Sequence, residues 1–145
     1  MPKVLSIKQP WCTLIAEGRK DVENRTWLTK YRGRVLLHAT AKPDAAVELY
    51  RKNVKNPSWI EIQMFNALKE SEDKNLFGAI IGEAEIVDCV QNHPSEWAEK
   101  GVYNWVLKDP VMYAKPVHNV KGKLGLWDMF ENDLAQMIRN EYGEE

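Results

Sequence analysis

The sequence predicts an α+β fold: a small, largely antiparallel sheet or barrel with helices packed beside it. Three observations carry this. The apolar segments are short and bounded by turn residues, and three or four helical patterns interleave with them. No regular strand–helix–strand alternation runs along the chain, so a doubly wound parallel sheet is not expected. With 145 residues and no internal repeat, the chain reads as one domain over 1–145, large enough to bury a core without staples.

Lys3 to Ile7 reads as a short strand, broken by Gln9-Pro10-Trp11. Pro10 suits the first position of a helix with Trp11, Leu14 and Ile15 on its apolar face and Gly18 at its end. Val22 to Trp27 is expected to be extended. Arg32-Gly33-Arg34 turns into a buried strand over Val35 to Ala39. Pro43-Asp44 opens a helix with Val47 and Tyr50 inward. Asn56-Pro57 opens another, with Asn56 as N-cap, Pro57 at the first helical position, and Ile62, Phe65 and Leu68 inward. Glu70 to Asn75 reads as a polar loop.

Gly78 to Val90 is a long strand in which Ile80, Ala84 and Ile86 alternate with Glu83 and Glu85. Gly82 in its interior predicts a bulge or the close approach of another backbone. Ser95 to Lys100 reads as one or two helical turns stopped by Gly101. Val102 to Leu107 is a strand, Asp109-Pro110 a turn, Pro116 to Val120 a further short strand, and Leu126-Trp127 closes the sheet. Residues 128–142 read as an amphipathic helix with Phe130, Leu134, Met137 and Ile138 inward, followed by a frayed tail over Gly143 to Glu145.

Hydrophobic residues make up 44% and charged residues 28%, with six Trp, which excludes a disordered or low-complexity chain. No run approaches about 18 apolar residues, so neither a membrane-spanning helix nor a membrane partner is expected. The charged N-terminus does not resemble a secretory leader. Cys12 and Cys89 form no CxxC, and the expectation is a cytoplasmic protein with reduced thiols, Cys12 packed rather than reactive. The Asn24-Arg25-Thr26 sequon is then coincidental. His38, His93 and His118 have no partners at metal-ligand spacing, and no GxxxxGK[ST], GxGxxG or GxSxG occurs. The expectation is therefore no metal and no cofactor.

A net charge of −1 conceals an asymmetry. Residues 1–42 carry nine Lys or Arg against three Asp or Glu, a net of +6, whereas residues 76–145 carry six against twelve, a net of −6. Two readings stand level on charge alone: a basic face for a polyanion, or pairing of the two halves inside one fold.

The informative stretch is Gly18-Arg19-Lys20-Asp21-Val22-Glu23-Asn24-Arg25-Thr26-Trp27, followed by Tyr31-Arg32-Gly33-Arg34. In an extended chain Asp21, Glu23, Arg25 and Trp27 share one face. One reading is a Glu23–Arg25 pair at a solvated edge, worth under about 1 kcal/mol. The other is a polar wall suited to a nucleobase: indole for stacking, carboxylate for an exocyclic amine, Lys or Arg for a phosphate.

Leu5-Ser6-Ile7-Lys8-Gln9-Pro10-Trp11, the 18–27 stretch and Tyr31-Arg32-Gly33-Arg34 together resemble the ASCH domain signature, within the PUA-like superfamily. The resemblance continues through His38-Ala39-Thr40-Ala41-Lys42, Gly78-Ala79-Ile80-Ile81-Gly82, Val87-Asp88-Cys89-Val90, Tyr103-Asn104-Trp105-Val106-Leu107 and Lys121-Gly122-Lys123-Leu124-Gly125-Leu126-Trp127, covering residues 3–127. It implies a β-barrel with helices beside it and a cleft between them that binds RNA or another nucleic acid. Gln9, Lys20, Glu23, Arg25, Arg32 and Lys42 fall on the family's cleft positions. Trp27 joins them as a stacking surface, with Trp105 as a further possibility, whereas Trp11 and Trp127 are expected in the core.

Some small relatives hydrolyse N4-acetylcytidine with a lysine, a threonine and a glutamate. Lys20 falls on the lysine, but Glu23 stands at the threonine position, so the nucleophile is not carried over. Glu96 is the candidate for the glutamate. If the chain is an enzyme, Lys20 and Glu23 are its catalytic residues, a desolvated lysine acting as base with the carboxylate orienting it. A lysine beside a carboxylate is more simply a binding pair. The function expected is therefore a nucleic-acid-binding module holding RNA or an exposed nucleobase in a basic cleft. The alternative is a hydrolase acting on a modified nucleoside or on RNA. A protein-interaction role for the acidic segment 131–145, net −4, stands behind both, and no protein partner is identified.

Overall fold

The computed structural model describes residues 1–143. In chain order the elements are β1 (Lys3–Ile7), α1 (Trp11–Ala16), β2 (Val22–Arg25), β3 (Gly33–Ala39), α2 (Ala45–Asn53), α3 (Trp59–Asp73), β4 (Ala79–Val90), β5 (Tyr103–Val117), β6 (Leu126–Asp128) and α4 (Glu131–Tyr142). Six strands form one sheet in the order β2-β5-β4-β3-β1-β6. Every neighbouring pair is antiparallel except β1 and β3, which run parallel with Val4 opposite Leu36 and Ile7 opposite Ala39. The sheet is thus mixed, as it must be once α1 and β2 cross between two adjacent strands. Irregularities at Leu37/His38, Ile80/Gly82, Glu83/Glu85 and Ile86/Asp88 curl it into a half-barrel. The concave side holds Leu5, Ile7, Val35, Leu37, Ile86 and Trp105, and α1 plugs it with Cys12, Ile15 and Ala16. Burial pushes the Cys12 thiol well above its ordinary range, which suits a packed, unreactive residue.

β5 corrects the expectation of a turn at Asp109-Pro110 and a separate strand after it. The strand passes through both residues because an irregularity absorbs them: Lys108 faces Glu85 and Val111 faces Glu83, so β5 carries one residue more than β4 there. Asp109 takes up the left-handed backbone, with φ +50, and Pro110 lies beyond the reach of β2, which covers only Tyr103 to Val106.

The helices shift by a residue or two from expectation. Pro10 is the N-cap of α1 and not its first helical residue. Asp44 caps α2 by accepting from Ala46 and Val47, and Val47 is buried while Tyr50 is largely exposed. The cap of α3 is Ser58, not Asn56, because Ser58 and Glu61 satisfy each other's backbone N–H groups in a capping box. α3 continues through the expected loop to Asp73, because Ser71 is buried and bonds Thr13 on α1. Its inward face is Ile60, Met64, Ala67 and Leu68, which leaves Ile62 exposed and Phe65 against Tyr50. Residues 95–100 form turns but no helix. In α4 only Leu134 and Met137 pack on the second core cluster, around Val4, Ile80, Val117 and Val120; Phe130 is its exposed N-cap and Ile138 is exposed too. Of the tail expected after it, Glu144 and Glu145 lie outside the described residues. Among the described residues no helix is long and apolar enough to cross a membrane.

His38 is a buried polar post in this second cluster. Its Nε2 lies 2.8 Å from the Val120 carbonyl, so Nε2 carries the proton, and Nδ1 accepts from the Ser6 hydroxyl at 3.1 Å. Burial lowers its pKa below 6.5, against a smaller upward pull from Val120. A folded-state pKa below the unfolded one means the unfolded chain binds the proton more readily. Stability contributed here is therefore complete above pH 6.5 and is lost as pH falls below it. Urea titrations between pH 7.5 and 5 should show this loss in the native protein and a flatter profile in His38→Gln.

Candidate functional site

The site begins with a helix end. Gly18, at φ +79, lets the chain reverse after α1, and the N–H groups of Arg19 and Lys20 both bond the Leu14 carbonyl. This tight reversal carries Lys20 back beneath Trp11, with Nζ 5.5 Å from the ring centroid. Lys20 is only 4% exposed; its ammonium donates to the Val22 carbonyl at 2.5 Å and to Glu23 Oε1 at 3.3 Å.

β2 then alternates. Val22 turns into the core beside Leu14 and Trp97, and Glu23 and Arg25 share the opposite face. Arg25 grips Glu23 Oε2 through Nε at 3.0 Å and a terminal nitrogen at 2.8 Å, and the same nitrogen donates to the Ser6 carbonyl at 2.7 Å. Its guanidinium also lies over the rings of Trp27 and Trp105, at 5.5 and 5.8 Å. One buried carboxylate is thus shared by two cations, a Lys20–Glu23–Arg25 triad carrying one positive charge. The solvated-edge reading of this pair does not hold, because Glu23 is 7% exposed.

The triad lines a cavity of about 480 Å³, a size that takes a nucleobase or nucleoside. Trp11 of α1 forms one aromatic wall, its indole nitrogen bonded to Asp44 at 3.0 Å. Trp97, from the irregular strap between β4 and β5, forms another and meets Trp11 edge to face at 6.4 Å. Ile60 and Met64 of α3 add an apolar side. The lining is not the basic cleft that the sequence leads one to expect: Lys8, Lys20 and Arg25 stand against Glu23, Asp44, Glu96 and Glu99. Part of the basic N-terminal segment is spent on pairing with the acidic half, Lys3 with Asp128, Arg32 with Asp88 and Arg34 with Glu83. Among the described residues no group of three or more His, Cys, Asp or Glu could hold a metal ion.

Of the residues singled out from sequence, the structure gathers Lys20, Glu23 and Arg25 around the cavity, and Glu96 as well. Gln9 is fully buried away from the lining; its amide donates to the Leu76 carbonyl and accepts from Thr13 N–H. Trp27 is half exposed behind Arg25, and Trp105 beneath it is core, its indole donating to the Trp27 carbonyl. Arg32 and Lys42 are solvent-facing and off the lining. Trp127 packs on the second cluster, as expected. The sequence reading puts Trp11 in the core, Asn24 in the signature stretch without a role and Asp44 at a helix start, whereas Trp97 and Glu99 carry no motif of their own. The one sequence signal for these walls was the excess of Trp.

The ASCH domain profile matches residues 5–117. Activating signal cointegrator 1 from Homo sapiens is 32% identical over 91 residues, and its Mus musculus counterpart 31% over the same length; each match takes in 59% of this chain. The chain spans 14% of the length of these curated relatives. Among solved structures, a mutant ASCH protein from Zymomonas mobilis superposes with a TM-score of 0.54 at 14% identity, covering 94% of this chain and 96% of that one. That likeness is one of fold, and it matches the curled sheet with helices beside it. With the family match running from within β1 to the end of β5, this chain belongs to the ASCH domain family.

Proposed function

We propose that the cavity binds an exposed nucleobase, presented by single-stranded RNA or carried by a free nucleoside. The observation that carries this reading is the Lys20–Glu23–Arg25 triad set in a cavity walled by Trp11 and Trp97. The indoles supply faces for a heterocycle, worth about 1–3 kcal/mol per stacked base. The Lys20 ammonium has three donor hydrogens and two partners, Val22 and Glu23, which leaves one for a base carbonyl. Glu96 and Glu99 supply acceptors for an exocyclic amine. Four carboxylates against three cations disfavour a phosphate inside. The phosphates of a strand therefore lie outside, within the field of exposed lysines such as Lys42, which is off the lining and has no ion pair among the described residues.

The test is binding of cytidine and of a short single-stranded RNA, followed by tryptophan fluorescence at two salt concentrations. Cytidine affinity should be nearly insensitive to salt, whereas RNA affinity should fall as phosphate contacts are screened. Lys20→Ala should weaken both at least tenfold. RNA binding that free cytidine does not compete with would refute the cavity as the site.

A second reading, hydrolysis of N4-acetylcytidine to cytidine and acetate, draws on Lys20, Glu23 and Glu96 lining the same cavity. Chromatography of the products should then show turnover that disappears in Lys20→Ala and Glu23→Ala. Turnover indifferent to both would exclude these residues.

A further inference from the structure

The strap between β4 and β5, residues 91–102, has no helix and no strand of its own. It nevertheless supplies Glu96, Trp97, Ala98 and Glu99 to the cavity wall. A wall without an internal ladder must be held from outside, and its backbone groups show by what. Two asparagine side chains hold it. Asn24, on β2, donates its amide to the Trp97 carbonyl at 3.0 Å and accepts from the Glu99 N–H at 3.1 Å. Asn104, on β5 directly across from Asn24, donates to Asn24 Oδ1 at 2.8 Å and to the Glu99 carbonyl at 3.2 Å, and accepts from the His93 N–H at 3.0 Å. Asn104 is fully buried and does not line the cavity.

We infer that Asn104 is the positioning residue of this cavity: it fixes the amide orientation of Asn24, and through that pair the strap is locked with Trp97 facing Trp11. This rests on the reading of the cavity as a base-binding site. The logic is one of donors and acceptors. Asn24 can donate to Trp97 and accept from Glu99 in one amide orientation only. The Asn104 amide nitrogen, aimed at Asn24 Oδ1, selects that orientation. In Asn104→Asp the shape is kept, but acceptor oxygens face both Asn24 Oδ1 and the Glu99 carbonyl. Asn24 then relieves the clash only by flipping, which sacrifices both of its bonds to the strap. The remaining ties, Ser95 Oγ to Asp21, the Trp97 indole to the Arg19 carbonyl, the Ala98 N–H to the Ser95 carbonyl and the His93 N–H to the side-chain oxygen at 104, all end before Glu99 and leave it unheld.

The experiment has two arms, run on the full chain with Asn104→Asp and Asn104→Ser. Hydrogen exchange on the free protein reads the lock itself. The Glu99 amide should exchange at least tenfold faster in both variants, while the amides of β3 and β4 keep their native protection. Cytidine titration reads the consequence, a rise in Kd of at least tenfold. If the native protein binds no cytidine, the base-binding reading fails, and exchange still decides the lock. Unchanged Glu99 exchange in either folded variant overturns the inference. So does faster exchange spread equally over β3 and β4, because that is a general loss of fold.

Discussion

Glu23→Ala should lower the unfolding free energy by about 3–5 kcal/mol, the range for breaking a buried ion pair from one side. The side chain of Glu23 is 9% exposed, and those of its partners Lys20 and Arg25 are 3% and 14% exposed. Removing the carboxylate leaves two buried cations without their counter-charge, held by the Val22 and Ser6 carbonyls and the indole faces alone. Lys20→Met should cost less, because Glu23 keeps both bonds from Arg25. A Glu23→Ala, Lys20→Met double variant should recover part of the loss by removing one uncompensated charge, which makes the two changes non-additive. Urea denaturation of the three proteins measures the order. A loss below about 1 kcal/mol in Glu23→Ala would place the triad in effectively solvated surroundings.

Gly82→Ala should be comparably damaging for a steric reason. A Cβ at Gly82 would sit 2.2 Å from the Val111 carbonyl oxygen and 3.2 Å from the Ala16 Cβ. The first obstacle is the backbone of the adjacent strand, and the second is the end of the helix that plugs the half-barrel. Neither can turn aside as a flexible side chain would. A cost of about 3 kcal/mol follows, at the upper end for overpacking, because β5 must move off β4 where the bulges already set the curl. Gly78→Ala is the control. It meets nothing within 4 Å, so its cost is that of its left-handed backbone alone, φ +58, about 1 kcal/mol. Thermal unfolding of both variants tests the contrast, and equal losses would remove the close approach as the explanation. The warning was visible in the sequence, where a glycine interrupts the interior of a long strand.

Much of the architecture follows from short-range chemistry. The alternation in 79–90 specifies a half-buried strand, and Gly18 marks the end of α1. Where local signals compete, the hydrogen bonds and packing actually formed decided. Asn56-Pro57 and Ser58 all favour a helix start, and the reciprocal Ser58–Glu61 bonds select Ser58. Pro110 reads locally as a break, yet β5 continues because a bulge on an uncovered stretch removes the need for its missing N–H. Gln9 has a polar side chain at a helix start, and only the fold shows that both ends of its amide are spent in the interior.

The candidate site divides the same way. Lys20, Glu23 and Arg25 lie within six residues of one another, so their meeting depends on one turn and one stretch of extended chain, both determined by the sequence alone. The cavity they face does not: Trp97 lies 73 positions beyond Asn24, the residue that holds its carbonyl. Asp44 fixes Trp11 from a separate helix cap. Whether an indole lines a core or a cavity depends on which distant element covers its other face, and that is settled by packing across the whole chain. The sequence by itself therefore determined most of the strands and helices and the nearness of three charged residues along the chain. The tertiary structure alone decided that this triad is buried, that two tryptophans wall it, and that carboxylates rather than lysines surround it.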